Sequence, residues 1–180
     1  MVLLLTSQVL TSPQALGNFI NTMKIKTDFK KFKETEPPSR WARLYHAGTD
    51  WFMLWESLEE QVHSDNGRPF FYVRPFVTGI IIEIFVKSIV LQEDSNFNPL
   101  DKQYRHNTTN IINAFKEKIS VLNEIADDKY LMSLISSYED TIDTKFGETS
   151  VSFNGADAKK VTDAALKIRE VIRVKAGFKN

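Results

Sequence analysis

The sequence predicts an all-α protein, a bundle of five to six helices without a β-sheet. Apolar residues recur at three- and four-residue steps over most of the chain, which is the spacing of one helix face. Glycine and proline are sparse, seven and six in 180 residues, and they fall at the breaks between these periodic stretches. No stretch is predicted to be a strand.

The N-terminal segment, residues 1–38, is predicted to hold one helix and a charged connector. Ser12 is a good N-cap and Pro13 suits the first helical position. The connector "KIKTDFKKFKETEPPS" alternates Phe and Lys and ends at a Pro-Pro pair, so it is either a continued helix or an ordered arm. The helical bundle itself is assigned to residues 39–180.

The next helix is predicted to begin after Ser39 and to run to about His63. Its apolar positions follow helical spacing: Trp41, Leu44, Tyr45, Trp51, Phe52, Leu54, Trp55, Leu58 and Val62. We interpret the aromatic residues of this set as core rather than as a stack for a ligand.

The third helix is predicted from about Pro69 to Glu93 and is apolar on nearly all sides, which is typical of the middle of a bundle. Glu83 and Lys87 stand four residues apart, as in a strip that faces water. With two charges in its apolar run of about 16 residues, the helix is short for a membrane span. We therefore expect a soluble protein without a membrane partner.

Three more helices complete the prediction. A fourth begins at Asn107 or Thr108, with one inward face: Ile111, Ile112, Phe115, Ile119, Leu122 and Ile125. A fifth follows Asp127-Asp128, with a second inward set: Tyr130, Leu131, Leu134, Ile135, Tyr138 and Ile142. The last runs from Asp157 to about Lys175 and is stopped by Gly177.

Composition excludes several function classes. Lys plus Arg and Asp plus Glu both number 23, so no global field draws the chain to nucleic acid or to an anionic membrane. The absence of cysteine removes disulfides, thiolate catalysis and Cys-based zinc sites, and it suits a reducing cytosol. Three histidines argue against a His-rich metal centre. We expect no metal, no cofactor and a cytoplasmic location.

Three stretches resemble the HEPN superfamily of helical nucleotide-binding domains. "RPFFYVRPFVTGIIIEIFVKSIVL" is similar to the central helix of that family, "KQYRHNTTNIINAF" to its K-x-x-G-H-D-L segment, and "TKFGETSVSF" to its K-F-R-Y-P segment. The resemblance implies an all-α fold that pairs as a homodimer. It also implies binding of nucleotide or RNA, in a setting such as phage defence or a toxin–antitoxin system.

The sequence departs from the family at the residues that would be catalytic. The family glycine before the histidine is Arg105 here, and the aspartate after it is Asn107. Many HEPN ribonucleases carry an Arg and a His separated by four to six residues in a late helix, and the last helix here has no His. The formal match, Arg40 with His46, stands on a different helix. The resemblance therefore implies a protein without catalytic activity; the alternative is a metal-independent ribonuclease with an Arg/His site assembled at a dimer interface from Arg105, His106, Arg40 or His46.

Four candidate ligand-binding residues come directly before the fourth helix: Lys102, Tyr104, Arg105 and His106. In a structural interpretation, Asn107 or Thr108 caps the helix, and His106 forms a hydrogen bond across the loop that sets the angle of the loop. In a functional interpretation, the helix N-terminus and the basic residues before it hold a phosphate, and Tyr104 stacks on a base.

Arg68 and Arg74 flank an aromatic cluster in "RPFFYVRP" and form a second candidate for nucleotide or RNA binding. The alternative is a helix start that is buried against a neighbouring element. Taken together, the patterns predict a binding or assembly module that forms a homodimer and binds a nucleotide, an RNA or a protein partner.

Overall fold

The computed structural model describes residues 39–64, 73–143 and 155–178, and these residues form six helices with no strand among them. The helices are α1 (Arg40–Ser64), α2 (Val73–Glu93), α3 (Thr108–Phe115), α4 (Ser120–Asp127), α5 (Lys129–Asp143) and α6 (Gly155–Lys175). The predicted all-α fold class is confirmed. The helix predicted after Ser12 and the charged connector lie outside the described residues.

Helix α2 is the centre of the bundle and packs against α1, α3, α5 and α6. Ile81, Phe85 and Ile89 are each 0% exposed, as expected for a helix that is apolar on nearly all sides. By length and composition the Arg74–Glu93 stretch is apolar enough to cross a membrane, but 78% of its apolar window is buried inside the bundle. The three consecutive isoleucines in its middle are helical, despite their preference for strands.

Helix α1 lies close against α2 because one position on its inner face is a glycine. A Cβ atom on Gly48 would stand 2.9 Å from Cε1 of Phe85 and 3.1 Å from Cγ2 of Ile84. Nearby, the rings of Tyr45 and Phe85 meet edge to face, with centroids 6.2 Å apart. The inner face of α1 therefore follows the predicted spacing, but Leu54 from the predicted apolar set is 39% exposed on the other side.

The predicted fourth helix is wrong in one respect, because the structure divides it into α3 and α4. The chain makes a turn over residues 116–118, and Ile119 then adopts an extended conformation with φ −129° and ψ 102°. Phe115 and Ile119 are both buried on the two sides of this turn. The turn changes the direction of the chain while it keeps the inward face continuous, so the apolar spacing alone does not reveal it.

Helix α5 begins where the Asp127-Asp128 pair predicts. The Asp128 carboxylate accepts a hydrogen bond from the backbone N–H of Leu131 at 2.9 Å and pairs with Lys160 of α6 at 2.7 Å. The hydrogen bond from Lys160, and then that from Leu131, holds the pKa of Asp128 below its ordinary value. The cap is therefore charged at neutral pH.

One residue of α5 faces solvent, although its position in the sequence predicts that it faces the core. Tyr130, expected inward, is 54% exposed. Its hydroxyl donates to Asp157 in the first turn of α6, and Lys160 lies 4.9 Å from the centroid of its ring. Tyr130 therefore ties α5 to α6 at the surface, where its polar end reaches a carboxylate.

Helix α6 ends at the predicted glycine in a Schellman motif. Gly177 has a positive φ of 70°, its N–H donates to the carbonyl of Val174, and the N–H of Phe178 donates to the carbonyl of Arg173. Phe178 then packs its ring against Trp41 and Tyr45 of α1. The end of the described chain is in this way joined to the first helix of the bundle.

Candidate functional site

The loop between α2 and α3 is folded by its own short polar side chains. Three carboxylate or amide oxygens accept hydrogen bonds from the backbone N–H two residues further on: Asp94 from Asn96, Asn98 from Leu100, and Asp101 from Gln103. Such turns give an irregular segment a defined path. The loop presents the side chains of Lys102 and Arg105 to solvent.

The N-terminus of α3 is capped as the sequence predicts. The side-chain oxygen of Asn107 accepts a hydrogen bond from the backbone N–H of Asn110 at 2.9 Å, and it lies 3.0 Å from the hydroxyl of Thr109. This arrangement satisfies one of the free amides at the start of the helix. The prediction that Asn107 or Thr108 caps the helix is confirmed, with Asn107 as the cap.

A carboxylate from another helix fills the anion position at this same helix end. Glu139 of α5 accepts a hydrogen bond from the backbone N–H of Thr109 at 2.5 Å and from its hydroxyl at 3.0 Å. A helix N-terminus favours a negative charge, and here the protein supplies that charge itself. A phosphate at this point would have to displace Glu139 from Thr109. Phosphate binding at the N-terminus of α3 stays a prediction.

The charged pair of α2 is buried rather than facing water. Lys87 donates to Glu83 and to the backbone carbonyl of Arg105, both at 2.5 Å. The side chains of Glu83 and Lys87 are only 12% and 10% exposed. The loop before α3 crosses this part of α2, which is why the predicted water-facing strip is wrong. Lys87 holds that loop through the main chain of Arg105.

His106 lies beside the buried pair without joining it. Its Nδ1 atom is 3.6 Å from Oε1 of Glu83, which is too long for a hydrogen bond. That nitrogen is buried and has no hydrogen-bond partner among the described residues, while the side chain as a whole is 41% exposed. His106 thus lies where the loop meets α2, but its buried nitrogen makes none of the hydrogen bonds to described residues that were expected to set the angle of the loop.

Tyr104 belongs to the edge of the hydrophobic core. Its ring centroid lies 5.3 Å from that of Phe97 and 6.4 Å from that of Phe115, and the last two rings are 5.4 Å apart. This three-ring cluster holds the loop against α3. The expected stacking of a base on Tyr104 gains no support from this position.

The arginine and histidine candidates of the alternative are distributed over two elements. Arg40 and His46 are exposed on α1, and the ring of His46 packs against Tyr45 at 5.5 Å between centroids. Arg105 and His106 stand in the loop after α2. Arg40 and His46 do not share a face of α1, because residues six apart on a helix are about 120° apart around its axis.

The second basic candidate site consists of Arg68 and Arg74, and the structure describes only Arg74. Arg68 lies outside the described residues. Arg74 is half-buried in the first turn of α2, and its guanidinium lies 3.6 Å from the point where a Cβ on Gly155 would stand. Burial, and then the negative charge of Asp157, raises the pKa of the Tyr138 hydroxyl. The positive charge of Arg74 acts in the opposite direction and lowers that pKa. Arg74 is thus placed as in the alternative of a buried helix start, where α2, α5 and α6 meet.

Known proteins supply no further constraint on the site. No family model, no curated protein and no solved structure matches the chain. Across the described part of the chain, no three His, Asp or Glu side chains lie close enough together to share a metal ion. The resemblance to the HEPN superfamily stays a prediction based on the three quoted stretches.

Replacing the cap residue Asn107 with alanine is expected to lower the free energy of unfolding by about 1 kcal/mol. The free amide of Asn110 loses its acceptor, and the alanine offers none. Urea denaturation followed by circular dichroism measures the change. Asn107→Asp is expected to restore most of the stability, and Asn113→Ala, an exposed change in the same helix, to leave it unchanged within about 0.5 kcal/mol. Equal losses for the two alanine variants would contradict the cap.

Proposed function

We propose that this protein is a non-catalytic helical binding or assembly module that works through contacts with protein. The observation that carries the proposal is that the polar groups around residue 105 bind other parts of the protein itself. Lys87 is bound to the main chain of Arg105, Asn107 caps α3, and Glu139 fills the anion position of that helix. These groups hold the loop in place, and such a role is structural.

An exposed apolar area on α1 supports a protein partner. Met53 is 57% exposed and Leu54 is 39% exposed, although both are large apolar side chains. Leu54 also lines a shallow depression of about 280 Å³, together with Ala47, Asp50 and Trp51. Apolar and aromatic groups with a charged rim are the usual composition of a protein contact site.

Nucleotide or RNA binding is a weaker part of the proposal. Lys102 and Arg105 are exposed on the loop, and two such cations favour phosphate by a modest, salt-dependent attraction. The chain as a whole has no net charge to add to it. A role in phage defence or in a toxin–antitoxin system follows from the HEPN resemblance alone.

We expect the purified protein to leave a panel of labelled single-stranded RNAs intact in EDTA. A metal-independent Arg/His ribonuclease needs both side chains within about 3 Å of one reacting group. Arg40 and His46 do not share a face, and His106 turns its Nδ1 towards Glu83. Gel electrophoresis of the RNA over time measures cleavage, and filter binding at two salt concentrations measures any association.

The controls are His106→Ala and His46→Ala, tested beside the wild type. Cleavage by the wild-type protein that either substitution abolishes would overturn the proposal and establish the ribonuclease. Any binding is expected to weaken with salt and with the double substitution Lys102→Ala, Arg105→Ala. Tight binding that resists salt would contradict the weak attraction described above.

A further inference from the structure

From the outer face of α1 we infer that a second copy of this chain pairs there, helix against helix and antiparallel, through two identical Arg43–Asp50 ion pairs. The inference rests on the proposed assembly function and names its partner and surface. It is argued from the spacing of the residues, from their charges and from the size of the side chain between them.

The outer face of α1 carries a row of four side chains along the helix, beside the exposed residues Arg40, His46 and Met53. Arg43, Ala47, Asp50 and Leu54 follow one another at steps of four, three and four, which places them on one side of an α-helix. Tyr45 and Phe52, which are buried inside the bundle, lie on the opposite side. The outer face is the only long side of α1 left uncovered by the described residues.

The two charged residues of this row have opposite signs, so the row can pair with the same row of a second copy. Arg43 and Asp50 are exposed, and neither side chain makes an ion pair or a hydrogen bond with any residue that the structure describes. They stand seven residues apart, or about 10 Å along the axis. A two-fold axis between them, at right angles to the helix, places Arg43 of one copy opposite Asp50 of the other. The symmetry repeats the pair, as in any isologous interface.

The centre of the row has a small residue where the two helices would be closest. Ala47 lies next to the proposed axis, so the two backbones can approach to about 8 Å, the short end of helix–helix distances. Trp51 and Leu54 flank this point and form the walls of the depression beside Ala47. Each depression is open to receive a side chain from the second copy, and this burial adds an apolar contribution to the ion pairs.

The size of this surface sets the expected strength. A stable standard interface buries about 1,200–2,000 Å² in total, and a contact along one pair of helices is at or below the lower limit. Exposed ion pairs add little individually. We therefore expect a reversible dimer with a Kd on the order of micromolar rather than nanomolar.

The experiment is sedimentation equilibrium of the full chain over about 1 to 100 µM, on the order of the expected Kd. Arg43→Asp and Asp50→Arg are each expected to weaken the dimer at least about tenfold, because each places two pairs of like charges in contact. The double variant Arg43→Asp, Asp50→Arg exchanges the charges within every pair and is expected to return to within about threefold of the wild type. An equimolar mixture of the two single variants is expected to form a heterodimer of the same strength.

Lys129→Asp is the matched control, since it reverses one exposed charge at the first residue of α5, outside the proposed row, and is expected to leave the Kd unchanged. A wild-type chain that stays monomeric throughout this range would overturn the inference. So would a dimer that the single variants leave intact, or a double variant as weak as the singles. These outcomes concern only this surface, whereas RNA cleavage removes the proposed function itself, so the two failures are distinguishable.

Discussion

Replacing Phe85 with alanine is expected to lower the free energy of unfolding by about 4 kcal/mol, a large part of the stability of a domain of this size. Phe85 is 0% exposed in the middle of α2, with the ring of Tyr45 and the backbone of Gly48 against it. The alanine leaves a cavity between α1 and α2, and two packed helices close such a cavity only in part. Guanidinium denaturation followed by circular dichroism measures the loss.

Phe178→Ala is the matched control for this substitution. Its ring also packs against Tyr45, with centroids 5.8 Å apart, but it is 42% exposed at the end of the described chain. Water already contacts much of this ring, so its removal is expected to cost under about 1.5 kcal/mol. A cost for Phe85→Ala as small as that for Phe178→Ala would contradict the close packing of α1 on α2.

Replacing Glu83 with alanine is expected to cost about 3 kcal/mol of stability. The ammonium group of Lys87 stays buried, and of its two partners only the carbonyl of Arg105 remains. A buried charge that loses its counter-ion is among the most destabilising changes in a protein. Thermal and chemical denaturation of the variant measure the effect.

The double variant Glu83→Leu, Lys87→Met tests the physical reason. It removes both buried charges and keeps most of the volume, so it is expected to be more stable than Glu83→Ala, although the carbonyl of Arg105 loses its donor. Asp163→Ala is the control, because Lys159 and Asp163 also stand four apart but are 69% and 56% exposed. Its expected cost is under about 0.5 kcal/mol. A cost of that size for Glu83→Ala would show that water reaches Lys87.

The predicted site residues and the observed site differ because of contacts between distant parts of the chain. Asn107 was recognisable as a cap, since its partner Asn110 is three residues away. Glu139 was not, because it reaches Thr109 from 30 residues further along the chain. Glu83 and Lys87 had a visible spacing, but only the loop that covers them shows that they are buried.

The break between α3 and α4 is also due to contacts between distant parts of the chain. Phe115, Ile119 and Leu122 are in phase with one continuous helix, and neither glycine nor proline marks the turn between them. A straight helix and two short helices bury the same residues, so the apolar spacing fits both. Packing against α5 and α6 selects the bent path, in which Phe115 and Ile119 are both buried.

The sequence by itself determines which stretches of this protein are helical and where several of them begin and end. These features depend on apolar spacing, on the caps Asn107 and Asp128, and on the glycine at 177, all of which act within a few residues. The tertiary structure alone decides that Lys87 is buried and that Glu139 occupies the anion position of α3. Burial and charge pairing depend on which elements lie side by side, and the chain brings those elements together only when it folds.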